Sequence, residues 1–490
     1  MATVFRWLLR IFTALIVLCG LTLVLAYYFL SRSLPDYSAQ YQTPGLSAPM
    51  QIVRTNTDVP HIFGATDADS YFGLGFAQAQ DRLWQMTMLR RTAQGRLSEL
   101  FGQRTVKIDE LLRRLDLYGL AVQSVAAQDA QTKAALEAYS RGVNAWIDIV
   151  NKQALGRGAP EFFMFGNQIA TWTPADSIAI IKLMALNLSS HLESEVLRAR
   201  VSLIMPPERV KDILPDAPDP AVAALPKYSS LFPTVQPSYA DLNISQDPLS
   251  PAAAPDMGGA SNAWAAAPSR SAAGGSLLAN DPHLGFTAPS IWYLARLKLA
   301  SGDVIGATIP GTPIVMLGRS EKLGWGLTSS YLDDQDVHIE KVNPDNPQEY
   351  LTPTGYKPFI TRQSIINIKG AAPITLTLRW TDNGPVLPGS LYNLKDITPV
   401  GYVTSLSWTA LSPNDTSMTA AIHLMGAHSV DEAIKAGALF IAPSQNLMLA
   451  DKNGIAMQMI GAMPKRDARN TTQGRMPNQG WLPENRWNGT

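Results

Sequence analysis

The chain has 490 residues, with 40 Lys and Arg against 40 Asp and Glu, 46% hydrophobic side chains and 16% charged ones. A formal net charge of zero removes the basic face a nucleic-acid binder needs, and this apolar content excludes a mostly disordered chain. The 35 Gly and 35 Pro, many in turn-like strings, argue against long coiled coils and helical repeats, and the length suits a large core in two or three domains or one big layered structure.

The first element is residues 11–30, 20 consecutive residues without a charge. As a helix this run spans roughly 30 Å of hydrocarbon. Arg6 and Arg10 precede it and only Arg32 follows closely, so the short N-terminal tail stays cytoplasmic and the rest is exported. Residues 1–32 thus read as a signal anchor or a cleaved signal peptide, and 33–49 as a polar tether.

Residues 50–55 and 58–64 read as two strands. From Ala68 to Phe101 apolar residues recur at helical spacing (Tyr71, Leu74, Ala77, Leu83, Met86, Leu89), and Gly102 is a stop signal. Residues 106–155 and 173–215 keep a helical period, which makes 50–215 a helix-rich half. Residues 216–260 are rich in Pro, Ala and Ser, hold no period, and read as a linker. From Ser261 onward short apolar runs bounded by Gly, Pro and Asp read as buried strands: 261–267, 277–279, 291–297, 304–309, 314–318, 365–368, 374–380 and 447–459.

Several chemistries are absent from this pattern. The one cysteine, Cys19, lies in the N-terminal apolar run, so there is no intrachain disulfide, zinc knuckle or thiol nucleophile. The six histidines (His61, His191, His283, His338, His423, His428) show no HExxH spacing, and no GxxxxGK[ST], GxGxxG or GxSxG string occurs. Gly73-Leu-Gly75 and Gly324-Trp-Gly326 lack a third glycine. What remains is Asp256-Met-Gly-Gly-Ala260 before Ser261, an unhindered backbone feeding a serine that opens a strand. As a bare pattern it is a common turn. Its chemical meaning would be self-cleavage: a hydroxyl attacks the preceding carbonyl, and the freed α-amine, with a pKa of roughly 7.7–8.0, can serve as a base at neutral pH.

Met257-Gly-Gly-Ala-Ser-Asn-Ala-Trp264 and Gly275-Ser-Leu-Leu-Ala-Asn-Asp-Pro-His283-Leu resemble the penicillin acylase (penicillin amidase) family of N-terminal nucleophile hydrolases. The resemblance continues upstream in Asp58-Val-Pro-His-Ile, Gly75-Phe-Ala-Gln-Ala-Gln-Asp-Arg-Leu-Trp-Gln and residues 90–102. Downstream it covers Pro310-Gly-Thr-Pro, residues 318–328, Asp333-Asp-Gln-Asp336, Pro443-Ser-Gln-Asn446-Leu-Met-Leu-Ala-Asp and Gly461-Ala-Met-Pro-Lys-Arg466. It implies an α+β fold, the αββα four-layer sandwich of that class, with 50–215 as a small subunit, 216–260 as a spacer peptide and 261–490 as a large subunit. The family's large subunit continues further, so the chain is expected to carry a shortened one. Ala260 stands where Gly is commoner.

The resemblance also implies roles. Ser261 is the nucleophile, and its own α-amine takes the proton. The oxyanion is held by the side-chain amide of Asn446 and the backbone N–H of Ser329, with His283 as a further donor, and Arg466 orients Asn446 and the amine. Asp333, Gln335 (through its carbonyl) and Asp336, joined by Glu195 or alternatively Glu193, are the expected oxygen ligands of a structural Ca²⁺ clamping the two chains. The expected substrate is a small-molecule N-acyl amide, split into acid and amine by a periplasmic, membrane-tethered enzyme of two self-derived chains. N-acyl homoserine lactones are one candidate substrate. The rival reading is an uncleaved, membrane-anchored pseudo-enzyme or binding module.

Overall fold

The computed structural model describes residues 1–152, 158–165, 169–214, 224–236, 261–285 and 287–490, arranged as mixed α+β. The expected linker falls within these residues only at 224–236, and Asp256–Ala260 lie outside them.

Helix α1 (Ala2–Arg32) buries none of its residues and is long and apolar enough to cross a membrane. Strands β1 (Gln51–Arg54) and β2 (Pro60–Phe63) lead into α2 (Asp67–Ala93). That helix opens on a capping box in which Thr66 Oγ1 accepts from the Asp69 N–H and the Asp69 carboxylate accepts from the Thr66 N–H. Residues 69–80 are all buried, and a break in helical geometry at Arg82 (φ −135°) re-aims the rest. Gly75 explains the Gly73-Leu-Gly75 string: a Cβ there would sit 2.2 Å from the Tyr139 carbonyl oxygen, and one on Gly142 would sit 1.9 Å from that of Phe72. The two glycines let α2 and a later helix touch backbone to backbone.

After α2 come α3 (Ser98–Phe101), α4 (Val106–Leu115), α5 (Leu117–Ala127), α6 (Ala130–Lys152), α7 (Glu161–Met164), α8 (Pro174–Leu188), α9 (His191–Ile204), α10 (Pro207–Ile213) and α11 (Tyr228–Leu231). Gly142 belongs to α6. Helix α8 starts on a second capping box, Thr173 with Asp176, and has Pro174 in its first turn. It is buried on all sides from Ala175 to Ala185 because both halves of the chain pack on it.

The second half supplies β3 (Asn262–Ala266), β4 (Leu277–Asp281), β5 (Tyr293–Leu299), β6 (Gly302–Thr308), β7 (Val315–Arg319), β8 (Leu323–Ser329), β9 (Gln335–Lys341), β10 (Glu349–Thr352), β11 (Gly355–Pro358), β12 (Ile360–Ile366), β13 (Ile374–Thr381), β14 (Gly384–Leu387), β15 (Tyr402–Trp408), β16 (Gln445–Asp451), β17 (Ile455–Ile460) and β18 (Asn478–Gln479). An eight-stranded sheet runs β1-β2-β5-β6-β7-β8-β16-β17 and a six-stranded one β12-β13-β14-β15-β9-β18, while β3–β4 and β10–β11 are separate hairpins. Helices α12 (Ser417–Gly426) and α13 (Val430–Gly437) also lie in this half, which composition alone marks as strand-rich. The first half contributes β1 and β2 to the larger sheet, so one sheet crosses the junction at residue 261.

Two features depart from the sequence reading. The Asp333–Asp336 string, which as a bare acidic string would suit an exposed turn, runs into β9, whose Asp336, His338 and Glu340 are fully buried. Strict alternation normally marks a strand with one wet face. Here the polar face is covered: His338 bonds Asn478 and Ser407, and Glu340 accepts from Thr381, Asn383 and Ser405. The second departure is residues 224–236, which dock into the core, with Tyr228 and Phe232 buried.

The halves are tied by buried polar links. Gln78 on α2 accepts from Tyr139 and the Gly311 N–H and donates to Thr308. Lys182 on α8 reaches Asp415 Oδ2 at 2.9 Å and the carbonyls of Ala410 and Ser412. Removing one partner of such a buried pair strands a charge. Lys182→Met is expected to cost roughly 3–5 kcal/mol in a urea unfolding measurement. A shift within experimental error would show that Asp415 is solvated or protonated instead.

Candidate active site

Ser261 precedes the first strand of the β3–β4 hairpin, in which Asn262 pairs with Asp281 and Ala263 with Asn280. The hairpin lies against β8 and β16 of the large sheet. One amide fastens it. Asn280 Nδ2 donates to the carbonyls of Asn262 (2.8 Å) and Leu327 (3.1 Å), and its Oδ1 accepts from the Leu327 N–H at 3.0 Å. Gly326 makes room, since a Cβ there would stand 2.8 Å from Asn280 Cβ. Asn280 is not among the residues to which the resemblance gives a role. The signal was its place in the strand facing Ala263, with Gly-Trp-Gly in the strand that receives it.

Ser261 Oγ accepts a hydrogen bond of 3.0 Å from the backbone N–H of His283. It opens into an apolar cavity of about 50 Å³ that it shares with Thr328 and Ser329. The cavity walls come from both halves: Ile181, Met184 and Leu188 of α8, and Leu284, Trp292 and Met316 beyond residue 261. Ser329 ends β8 opposite Gln445, and Asn446 lies opposite Thr328. The Asn446 amide donates to Thr328 Oγ1 at 3.2 Å and the Ser329 carbonyl at 3.3 Å, both at the long end of the usual range. Those donors are held loosely and can turn to a stronger acceptor. The hairpin's packing on β8 and β16 and the shared cavity thus bring Ser261, Ser329 and Asn446 into one neighbourhood.

Two expected residues sit differently from the implied roles. The His283 imidazole is half-exposed and pairs with Asp281 Oδ2 at 2.8 Å, so the part of His283 that meets Ser261 is its backbone N–H. Arg466 makes no bond to Asn446. Its guanidinium grips Asp336 (2.6 Å), lies 3.1 Å from Asp333 Oδ1, and donates to the carbonyls of Asp333 and Gln335. Buried carboxylates demand a counter-charge that a neutral amide does not, which decides where the cation goes. Gly474 lies against the guanidinium, where a Cβ would come within 2.4 Å.

The expected metal ligands gather around this arginine. Glu195 of α9 is fully buried and accepts from the Val337 N–H through both oxygens. Trp487 Nε1 donates to Asp336 at 2.8 Å, and the Gln335 side chain accepts from the Leu192 N–H at the start of α9. Burial, reinforced by Asp336 and Asp333, raises the Glu195 pKa well above the ordinary carboxylate value. Burial pushes Asp333 up to about 7 against the pull of Arg466, and pushes Asp334 up to about 6. His191, 3.8 Å from Asp333, is itself lowered by burial and adds no positive charge at neutral pH. The alternative ligand, Glu193, is raised by burial and lines a crevice that it shares with Gln335 and Tyr392. Among the described residues no three His, Cys, Asp or Glu side chains converge as a metal site. The donor chemistry nonetheless suits a hard cation: Glu195, Asp333 and Asp336 bring three carboxylates and Gln335 a carbonyl to one place, although Arg466 already ion-pairs with Asp333 and Asp336 there.

The penicillin amidase family profile matches residues 49–490. The acyl-homoserine lactone acylase QuiP of Pseudomonas aeruginosa is 30% identical over 93% of this chain and 54% of its own length. The penicillin acylase 2 proenzyme of a Pseudomonas species is 29% identical over 94% of this chain and 58% of its own, and penicillin G acylase of Escherichia coli 27% identical over 91% and 56%. A solved thermostable penicillin G acylase from Alcaligenes faecalis superposes with a TM-score of 0.42 and 27% identity, over 46% of this chain and 39% of that one. The chain spans about half the length of the curated relatives it matches. With a match running from the first strand to the last residue given, the chain belongs to the penicillin amidase family.

Proposed function

We propose that this chain is the precursor of an amidohydrolase that cleaves itself between Ala260 and Ser261 and then hydrolyses linear N-acyl amides through an ester on Ser261. The observation that carries the reading is Ser261 Oγ, held by the His283 N–H at the mouth of an apolar cavity that also contains Ser329. In the first reaction the hydroxyl attacks the Ala260 carbonyl, the peptide shifts to an ester, and water releases a chain starting with a free α-amine. That amine then takes the Ser261 proton as the hydroxyl attacks the substrate carbonyl, and passes it to the departing amine. Water completes the cycle and frees the acid. The Asn446 amide turns from the Ser329 carbonyl to the oxyanion, joined by the Ser329 N–H.

The cavity supports an apolar acyl group. At about 50 Å³ it accepts several carbons only by displacing walls, and Met184 and Met316 are the adaptable ones. The printed names of the relatives make N-acyl homoserine lactones and penicillins the first amides to try. The fold this reading calls for is the αββα sandwich of N-terminal nucleophile hydrolases, made of small and large chains that stay associated through the links at Gln78 and Lys182. Helix α1 serves as the export signal or inner-membrane tether of a periplasmic protein. The purified product is tested on a panel of N-acyl amides graded in acyl length. Equimolar acid and amine are expected from some of them, and no release across the panel would overturn the reading.

Calcium belongs to the same proposal. Glu195, Asp333, Asp336 and the Gln335 carbonyl would hold it, and the cation would favour the ionised carboxylates that burial disfavours at Glu195 and Asp333. Because burial raises the pKa of both Asp333 and Glu195, each must lose a proton for the cation to bind, and affinity should fall as the pH drops. Millimolar Ca²⁺ is expected to raise Tm and EDTA to lower it. Identical melting curves would mean that Arg466 alone supplies the counter-charge.

A further inference from the structure

We infer that residues 224–236 stay in the mature enzyme as part of the small chain and clamp it to the large one. The inference rests on the proposed cleavage at Ser261, and it redraws the expected spacer, which begins at residue 216.

Composition marks 216–260 as disposable, yet its middle is anchored. Tyr228 is fully buried. Its hydroxyl donates to the Ile397 carbonyl at 2.7 Å, and its N–H donates to Ser202 Oγ at 3.3 Å. Its ring meets that of Phe232 at 5.0 Å, and Phe232 and Val235 are both buried. Gln479 donates to the Leu231 carbonyl at 3.4 Å. The partners therefore lie on both sides of residue 261: Ser202 in the first half, Ile397 and Gln479 in the second. Next to them Arg200 and Asp396 form an ion pair across the same seam, at 3.2 Å. Discarding the segment would leave a cavity the size of two aromatic rings and a buried carbonyl without a donor. A processing protease needs a run of exposed, extended residues, and Tyr228–Val235 offers instead one helical turn, Tyr228–Leu231, in a stretch pinned by the buried side chains of Tyr228, Phe232 and Val235.

Intact-mass measurement of the mature two-chain protein tests this. The small chain is expected to end between Gln236 and Ala260. A small chain ending anywhere before Val235 overturns the clamp while leaving cleavage at Ser261 standing. A product that remains one chain overturns the Ser261 reading instead, and the clamp is then judged by native trypsin digestion. Trypsin should spare the bond after Lys227, although that lysine is exposed, and cutting there at the rate of an unfolded chain overturns the clamp. Tyr228→Ala should lower Tm by roughly 5 °C. Tyr228→Phe, which removes only the bond to Ile397, should fall between it and the parent. An unchanged Tm in both variants contradicts the clamp.

Discussion

Ser261→Ala is expected to give a single uncut chain and to reduce amide turnover by about 10⁶-fold, the scale on which losing a catalytic nucleophile operates. The two losses are linked because one oxygen is proposed to perform both reactions. The methyl group of alanine fits where the hydroxymethyl group sat, and the main anchors of the hairpin are the Asn280 bonds and the β3–β4 pairing, so the fold should survive. The variant should therefore melt like the parent precursor while doing no chemistry. Cleavage of Ser261→Ala at the same bond would assign the first reaction to another group, and retained turnover would remove the nucleophile from the account.

Asn446→Ala is expected to separate the two reactions. Removing one oxyanion donor typically costs about 10²–10³ in turnover. Among the described residues the Asn446 amide donates to Thr328 Oγ1 and the Ser329 carbonyl, both through long bonds, so its loss should leave the hairpin and the cavity in place. Two chains, a normal melting temperature, a kcat lowered by about that factor and a KM little changed are the expected combination, since the donor acts on the transition state more than on the bound substrate. Undiminished kcat would assign the oxyanion to other donors, of which the Ser329 and His283 backbone N–H groups are the nearest candidates.

How much of this was legible in the sequence follows from what each signal depends on. The strands and long helices could be read because their apolar period is local: α2 starts at its own capping residues, and the β5–β8 runs end on their own Gly, Pro and Asp. Ser261 could be read as the candidate nucleophile from small residues before a serine together with motifs spread over most of the chain. Three things depended on distant partners and could not. Strand β9 is polar on one face yet buried on both, because side chains from β15 and the 478–487 stretch cover it. Residues 224–236 look like linker until Ile397 and Gln479 supply partners some 170 to 250 positions away. The family resemblance implies that Arg466 helps Asn446, but buried carboxylates at 333 and 336 claim it first. In each case local sequence gave the residue type and long-range packing gave the role.

The most direct test is N-terminal sequencing of the exported full-length product. The account predicts two termini, one of them reading Ser-Asn-Ala-Trp from Ser261. A single terminus on material that still releases amines from N-acyl amides at an ordinary enzymatic rate would contradict it.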